Sequence, residues 1–273
     1  MGTDSEVFSV DRDGHVATLW LESPERRNAM GPDFFTDLPA LMEELSADDD
    51  VRAVVIAAKG TAFTVGLDLK TMGGGLGGEG ASSTASSANR LYKNVLRLQA
   101  AFNAVADSPK PVIAAVHGWC IGGGVDLITS ADIRLCSADA KFSVRETKIA
   151  IVADLGTLTR LPRVVSKGHA AELAYTGKDV DADRALRIGL VNDVLPDVDT
   201  LHKAAWGLAA EIAANSPLVV QGTKQVPKAC EDRTVADGLD YVAAWNAGHL
   251  RSHDLVEAMT AFMEKRPPQF KGD

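Results

Sequence analysis

The chain has 273 residues, of which 46% are hydrophobic and 24% charged. That is globular usage at a length for one large domain or two small ones, which excludes a disordered, collagen-like or long coiled-coil chain. A net charge of −9 gives no electrostatic reason to bind a phosphate backbone, so no nucleic-acid partner is expected, and any anionic ligand must be held by a local cluster of donors.

In chain order, the acidic start MGTDSEVFSVDRDG lacks an apolar leader core, so no signal peptide is expected. Residues 7–10 and Val16–Leu21 alternate around Arg12-Asp13-Gly14, which predicts a β-hairpin. Residues 32–45 have helical spacing despite Pro39. Ala53–Ala58 (AVVIAA) and Val112–Val116 (VIAAV) are continuous apolar runs, the pattern of strands buried on both faces. Residues 133–136 repeat that signal more briefly. Helical patterns lie between these strands, at 88–107 and 123–130. The alternation predicts an α/β fold around a mostly parallel sheet. Residues 72–89 are Gly/Ser-rich and predict a mobile loop. From about residue 157 the chain turns helical: 157–165, 169–176, 182–188, 201–215, 217–229, 234–248 and 252–264. Val194-Leu195 is the extended exception. No window approaches 18 uninterrupted apolar residues, so no membrane span is expected. Cys120, Cys136 and Cys230 show neither a disulfide framework nor zinc spacing. A reducing, cytoplasmic setting is expected, and no metal site, because the six histidines fall in no ligand pattern.

Two glycine clusters compete for a functional role. The tract at 73–80 has no strand running into it and no helix opening from it, so a dinucleotide fingerprint is not expected there. Gly122, Gly123 and Gly124 follow a buried strand and open an apolar helix. Helix N-terminal N–H groups are unpaired and partly positive, and glycine lets a substrate approach them. The cluster serves either as an oxyanion site or as close helix–sheet packing. A second donor, the N–H of Leu67, lies in the loop after the AVVIAA strand, at the strand end where α/β ligands bind. Three acids stand out. Asp126, in the first turn of the glycine-led helix, is a candidate acid or a complement to the helix dipole. Glu146, in a short extended piece at 142–146, is a candidate acid or a solvated charge. Asp154 is a candidate acid or an N-cap.

The strings FTVGLDLK at 63–70, HGWCIGGGVDL at 117–127 and FSVRETKIAIVADLGTLTRLP at 142–162 together resemble the crotonase, or enoyl-CoA hydratase/isomerase, superfamily. The likeness runs from the first hairpin to the closing EKRPPQF. It is closest to the dienoyl-CoA isomerase branch, which is similar in carrying GGGVD, a Glu twenty residues on and an Asp eight further. Hydratases of the superfamily carry Glu at the positions matching Asp126 and Glu146, and Gly where this chain has Asp154.

The resemblance implies a spiral of ββα repeats over residues 1–200 and a helical C-terminal region at 201–273 that builds trimers or hexamers. It implies Asp126, Glu146 and Asp154 as catalytic acids, with Glu146 and Asp154 as base and acid in either order. Leu67 and Gly123 would be the oxyanion donors, with Gly124 beside the acyl group. Arg27, Val65, Gly66, Asp68, Leu69 and Lys70 would bind coenzyme A, and Phe270 and Lys271 would complete its adenine side. The implied activity shifts a 3,5-dienoyl-CoA to its 2,4-isomer in fatty-acid β-oxidation, with no cofactor beyond the coenzyme A of the substrate. The rivals are hydration of a 2-enoyl-CoA and non-catalytic acyl-CoA binding.

Overall fold

A computed structural model describes residues 5–72 and 84–273. Strands β1 (Phe8–Asp13) and β2 (Val16–Leu21) pair antiparallel, closing at Asp13 opposite Val16. Helix α1 (Pro32–Ala47) begins on a proline, which needs no amide partner there. It also absorbs Pro39, at the cost of one donor to the carbonyl a turn earlier. Strand β3 (Ala53–Ala58) pairs parallel with β2, Val16 facing Ala53. A short helix α2 (Leu69–Met72) and a long one, α3 (Thr84–Asp107), precede β4 (Val112–Val116). Then come β5 (Trp119–Ile121), α4 (Gly123–Ser130), β6 (Ile133–Ser137), β7 (Lys141–Ser143) and a 3-10 turn at Glu146–Ile149. Helices α5 (Thr157–Val164) and α6 (Lys167–Thr176), strand β8 (Val180–Asp181), helix α7 (Ala182–Arg187) and strand β9 (Asp193–Leu195) complete the sheet-bearing part.

The larger sheet has the order β1-β2-β3-β4-β6-β9 and is parallel from β2 onward. The smaller sheet is β5-β7-β8. Single bridges from Met30 to Leu67 and from Thr64 to Cys120 carry that second layer back toward the start of the chain. Each circuit therefore gives a strand to the large sheet, a short extended piece to the second layer and then a helix. That is a spiral of ββα units, and it follows from strands that must bury both faces.

The alternation inside AVVIAA shows how both faces are filled. Val54, Ile56 and Ala58 join the main core with Leu38, Met42 and Phe102. Ala53, Val55 and Ala57 face the other way, against Leu201, Ala205 and Ala209 of helix α8 (Val198–Ala213). Small residues on α8 let it lie close to the sheet. The residue-200 division thus falls inside a helix that covers the sheet. Helices α9 (Pro217–Cys230), α10 (Val235–His249) and α11 (His253–Glu264) follow. Gly222 of α9 sits where any Cβ would strike the ring of Trp245 on α10, which sets that pair's spacing.

The loop expected at 72–89 divides. Residues 73–83 lie outside the described residues, whereas 84–89 already belong to α3. Past the last glycine of the tract, Ala85 and Ala88 are good helix formers, and an established helix propagates cheaply into such a segment.

Candidate active site

Two backbone segments meet at the carboxyl ends of β3 and β5. In the first, the Thr64 hydroxyl donates to Asn28 O at 2.6 Å and accepts from Gly66 N at 3.1 Å. Met30 N donates to Gly66 O at 2.8 Å, and Asp68 N to Met30 O at 3.0 Å. These bonds use the amides on either side of Leu67 and leave its own N–H without an acceptor among the described residues. Gly66 has φ +82°, and a Cβ there would lie 2.6 Å from Ile121 O and 3.3 Å from Gly123 N. Only glycine combines that left-handed backbone with so close an approach.

The second segment is the start of α4, every residue of which is buried. Gly122 N is taken by Ser143 O at 2.9 Å, and Gly122 O accepts from Val125 and Asp126. Gly123 N, at the first helical position, has no acceptor among the described residues. The Cβ position of Gly123 is 3.9 Å from Leu67 N. Two unpaired, partly positive N–H groups thus stand side by side, which is what a developing oxyanion requires.

The acids surround this point. Asp126, 1% exposed, sits in the first turn of α4, where a carboxylate complements the helix dipole. Its Oδ1 accepts the Thr157 amide at 2.5 Å, so it caps α5 from a neighbouring helix. Asp154 does not cap α5; that place belongs to Gly156. Burial, reinforced by the Glu146 charge and opposed by hydrogen bonding from Thr157, raises Asp126 to about 7. Glu146 is not in an extended piece but opens the 3-10 turn after β7. Parallel pairing of β7 with β5 places it beside the glycine helix. Its Oε1 lies 3.3 Å from the Cβ position of Gly122. Among the described residues its Oε2 is buried without a hydrogen-bond partner, a costly state for a carboxylate that calls for a functional explanation. Burial pushes the Glu146 carboxyl up, and the Asp154 charge adds to that. Asp154 is open to solvent on one side, and partial burial in the pocket wall raises it too.

A pocket of about 110 Å³ gathers Val65, Gly66, Leu67, Leu69, Gly122, Gly123, Asp126, Glu146 and Asp154. Ile121, Arg145, Ile149, Ile151 and Leu155 complete its wall; sequence reasoning missed these five. The signal for three of them was present, because apolar residues alternate after Glu146 and Ala150, at φ +59°, turns the chain back on itself. Arg145 carried no such mark.

The remaining candidates lie elsewhere. Gly124 packs outside the pocket wall, where a Cβ would meet Thr64 Cγ2 at 2.6 Å. Arg27 offers its backbone, accepting Val65 N at 3.2 Å. The Asp68 carboxylate caps α2 through the amides of Lys70 and Thr71 at 3.0 and 3.4 Å. Lys70 is exposed on that short helix. Phe270 and Lys271 are tied to the opposite region: Arg52 donates to Phe270 O at 2.8 Å and Asp254 accepts Lys271 N at 2.8 Å. Among the described residues no group of three or more His, Cys, Asp or Glu side chains is placed to hold a metal ion.

Residues 11–273 match the family model for enoyl-CoA hydratase/isomerase. The chain belongs to the enoyl-CoA hydratase/isomerase family. It is similar to the mitochondrial Δ(3,5)-Δ(2,4)-dienoyl-CoA isomerase of Dictyostelium discoideum, 47% identical over 94% of this chain and 87% of that one. The peroxisomal Δ(3,5)-Δ(2,4)-dienoyl-CoA isomerase of Arabidopsis thaliana is 41% identical over 97% and 96%. A solved putative enoyl-CoA hydratase from Streptomyces coelicolor superposes with a TM-score of 0.90 at 33% identity, over 99% of this chain and 96% of that one. The family's fold is thus the spiral described above. Among the described residues no helix is long and apolar enough to cross a membrane.

Proposed function

We propose that this enzyme isomerises 3,5-dienoyl-CoA thioesters to 2,4-dienoyl-CoA in the breakdown of unsaturated fatty acids. The observation that carries the reading is a further carboxyl, Asp154, beyond Asp126 and Glu146, in the wall of the pocket where Glu146 Oε2 has no hydrogen-bond partner among the described residues, beneath two N–H groups without acceptors there. A hydratase needs two carboxylates around one water; a diene shift needs proton exchange at two separated carbons.

In the proposed mechanism the thioester oxygen accepts from Leu67 N and Gly123 N. Glu146, against Gly122 and so nearest the carbonyl end, takes the proton from C2. The electron pair of that C–H bond moves into the thioester, giving an enolate conjugated with both double bonds, its charge on the held oxygen. Asp154 delivers a proton to C6, and the double bonds pass from positions 3 and 5 to 2 and 4. Two neighbouring carboxyls repel each other's charge, which favours one shared proton at neutral pH. Exposed Asp154 resets the pair through solvent. Every step is a proton transfer, so the reaction calls on no metal or redox cofactor, and coenzyme A enters only as part of the substrate. Lys70 and the backbone around Arg27 would support the coenzyme, with Phe270 and Lys271 reaching it from a second subunit of a trimer or hexamer. The helical region at 201–273 would build that assembly, and the spiral at 1–200 would hold the site. A reducing compartment suits the free cysteines; we place the protein in the cytoplasm, which cell fractionation tests.

The test is a synthetic 3,5-dienoyl-CoA, read by the growing absorbance of the conjugated 2,4-dienoyl thioester, beside crotonyl-CoA read by loss of its enoyl absorbance. Turnover of the dienoyl substrate far above crotonyl-CoA hydration is expected. Brisk hydration with no isomerisation would transfer the assignment to a hydratase, and binding without either reaction to a carrier.

A further inference from the structure

The segment that carries Asp154 and caps onto Asp126 is held from behind by α3. Gln99 Nε2 donates to Asp154 O at 2.6 Å. One turn later on the same helix face, Asn103 Oδ1 accepts from Arg160 Nη2. The other end of that guanidinium lies over Gly156: a Cβ there would sit 2.1 Å from Arg160 Nη1 and 3.8 Å from Asp126 Oδ1. Gly156 has φ +142°, so its backbone favours glycine and the space a side chain would fill is left to the guanidinium. Arginine and carboxylate face each other across this glycine. Arg160 is outside the wall of the acyl pocket and lines a separate polar cleft with Arg163 and Lys228.

We propose that Arg160, clamped by Asn103, is a positioning residue: it keeps the buried Asp126 ionisable and so sets the charge that faces Glu146. The inference deepens the isomerase reading and rests on it for its kinetic consequence alone.

The groups around the pair fix the sign. Asp126 meets Glu146 from the turn after β7, Cys120 from β5 and Arg160 from α5. Arg160 in turn meets Asp107 at the end of α3 and Arg163 on its own helix. Burial and Glu146 drive a proton onto Asp126; Arg160 is the cation among these neighbours that acts against it. Without it the carboxyl holds its proton to higher pH, so less negative charge faces Glu146 near neutrality.

The experiment is isotope-edited infrared titration of the substrate-free protein labelled with carboxyl-13C aspartate, the Asp126 band being assigned by its loss in Asp126→Asn. Arg160→Met, which keeps the apolar stem, should move the midpoint of that band upward by about one pH unit. Arg160→Lys should restore most of it. Asn103→Ala alters an exposed position and frees the guanidinium, so it should move the midpoint the same way by less. In Arg160→Met, kcat for the dienoyl substrate should fall several-fold with KM unchanged, since the residue lines no part of the pocket. An unmoved midpoint in folded Arg160→Met, or in Asn103→Ala where Arg160→Met does not fold, would overturn the inference. The band is read without substrate, so a wild-type protein lacking isomerase activity removes the functional reading and leaves this one standing.

Discussion

Asp154 separates a proton donor from a structural acid. Among the described residues its carboxylate is bonded only by its own backbone amide; the contact to Gln99 uses the backbone oxygen. Asp154→Asn therefore removes a proton and, since the amide oxygen still accepts, no native bond. Isomerisation should fall by roughly 10²–10⁴, the range for general acid–base groups, while Tm stays where it was. A stable variant with wild-type turnover would return Asp154 to a passive role. Asp126 makes the opposite prediction. Its proton affinity is raised in the fold, from 3.8 to about 7, so the native state binds that proton more tightly than the unfolded chain. Its contribution is fully favourable below pH ~4 and is lost as pH rises through about 7. Three units correspond to at most about 4 kcal/mol. Asp126→Asn keeps an oxygen for the Thr157 amide and discards the cost of ionisation. Its Tm should exceed that of wild type at pH 8, and the gain should shrink toward pH 5. A pH-independent difference between the two proteins would mean that Asp126 titrates normally.

At the scale of elements, the donor pair depends on how near the loop after β3 comes to the start of α4. Gly66→Ala places a methyl 2.6 Å from Ile121 O at a left-handed φ. The loop must retreat and carry the Leu67 N–H with it. Losing one oxyanion donor costs on the order of 10²–10³ in kcat, and the strain adds roughly 1–3 kcal/mol of destabilisation. A variant with normal kcat would show that Leu67 N is not a donor. The elements that carry the site were legible because each buries a continuous pattern. AVVIAA and VIAAV need both faces covered, and a glycine triplet opening an apolar helix marks an amide cluster whatever the family. Less legible was everything set by contact between distant segments. The cap of α5 comes from Asp126, thirty-one residues earlier, and local spacing pointed to Asp154 for that place. The 3-10 turn at Glu146 is too short to leave a period. The resemblance puts Gly124 beside the acyl group, whereas its missing Cβ makes room for Thr64. The resemblance implies Phe270 and Lys271 on the adenine side, but in one chain their backbone is bound to Arg52 and Asp254.

At the scale of the molecule, apolar side chains face water along the last helices. On α11 Val256, Met259 and Met263 follow helical spacing on one stripe, and Phe262 beside them is 82% exposed. Val235, Leu239 and Leu250 are exposed on and just after α10, so Leu239 and Leu250 do not lie on faces buried within one chain. Val242 and Trp245 are half-buried against α9. Burying a large apolar side chain is worth about 1.5–3 kcal/mol. Seven such residues would supply roughly 10–20 kcal/mol, enough to meet the association cost of about 4–15 kcal/mol. The protein should therefore run as a multiple of its 28.8 kDa chain in light scattering at micromolar concentration, with a trimer the expected unit. Leu239→Glu combined with Phe262→Glu places charges in that surface without touching the main core and should shift the mass toward the single chain. Activity is the sharper readout. If Phe270 and Lys271 complete the coenzyme site of a neighbour, the dissociated double variant should show a raised KM for the acyl-CoA. Its kcat should be nearly retained, since Leu67, Gly123, Glu146 and Asp154 all belong to one chain. A monomeric wild type with full activity would remove the assembly from the mechanism. Loss of kcat with KM unchanged would instead place a residue of the neighbouring subunit among the reacting groups.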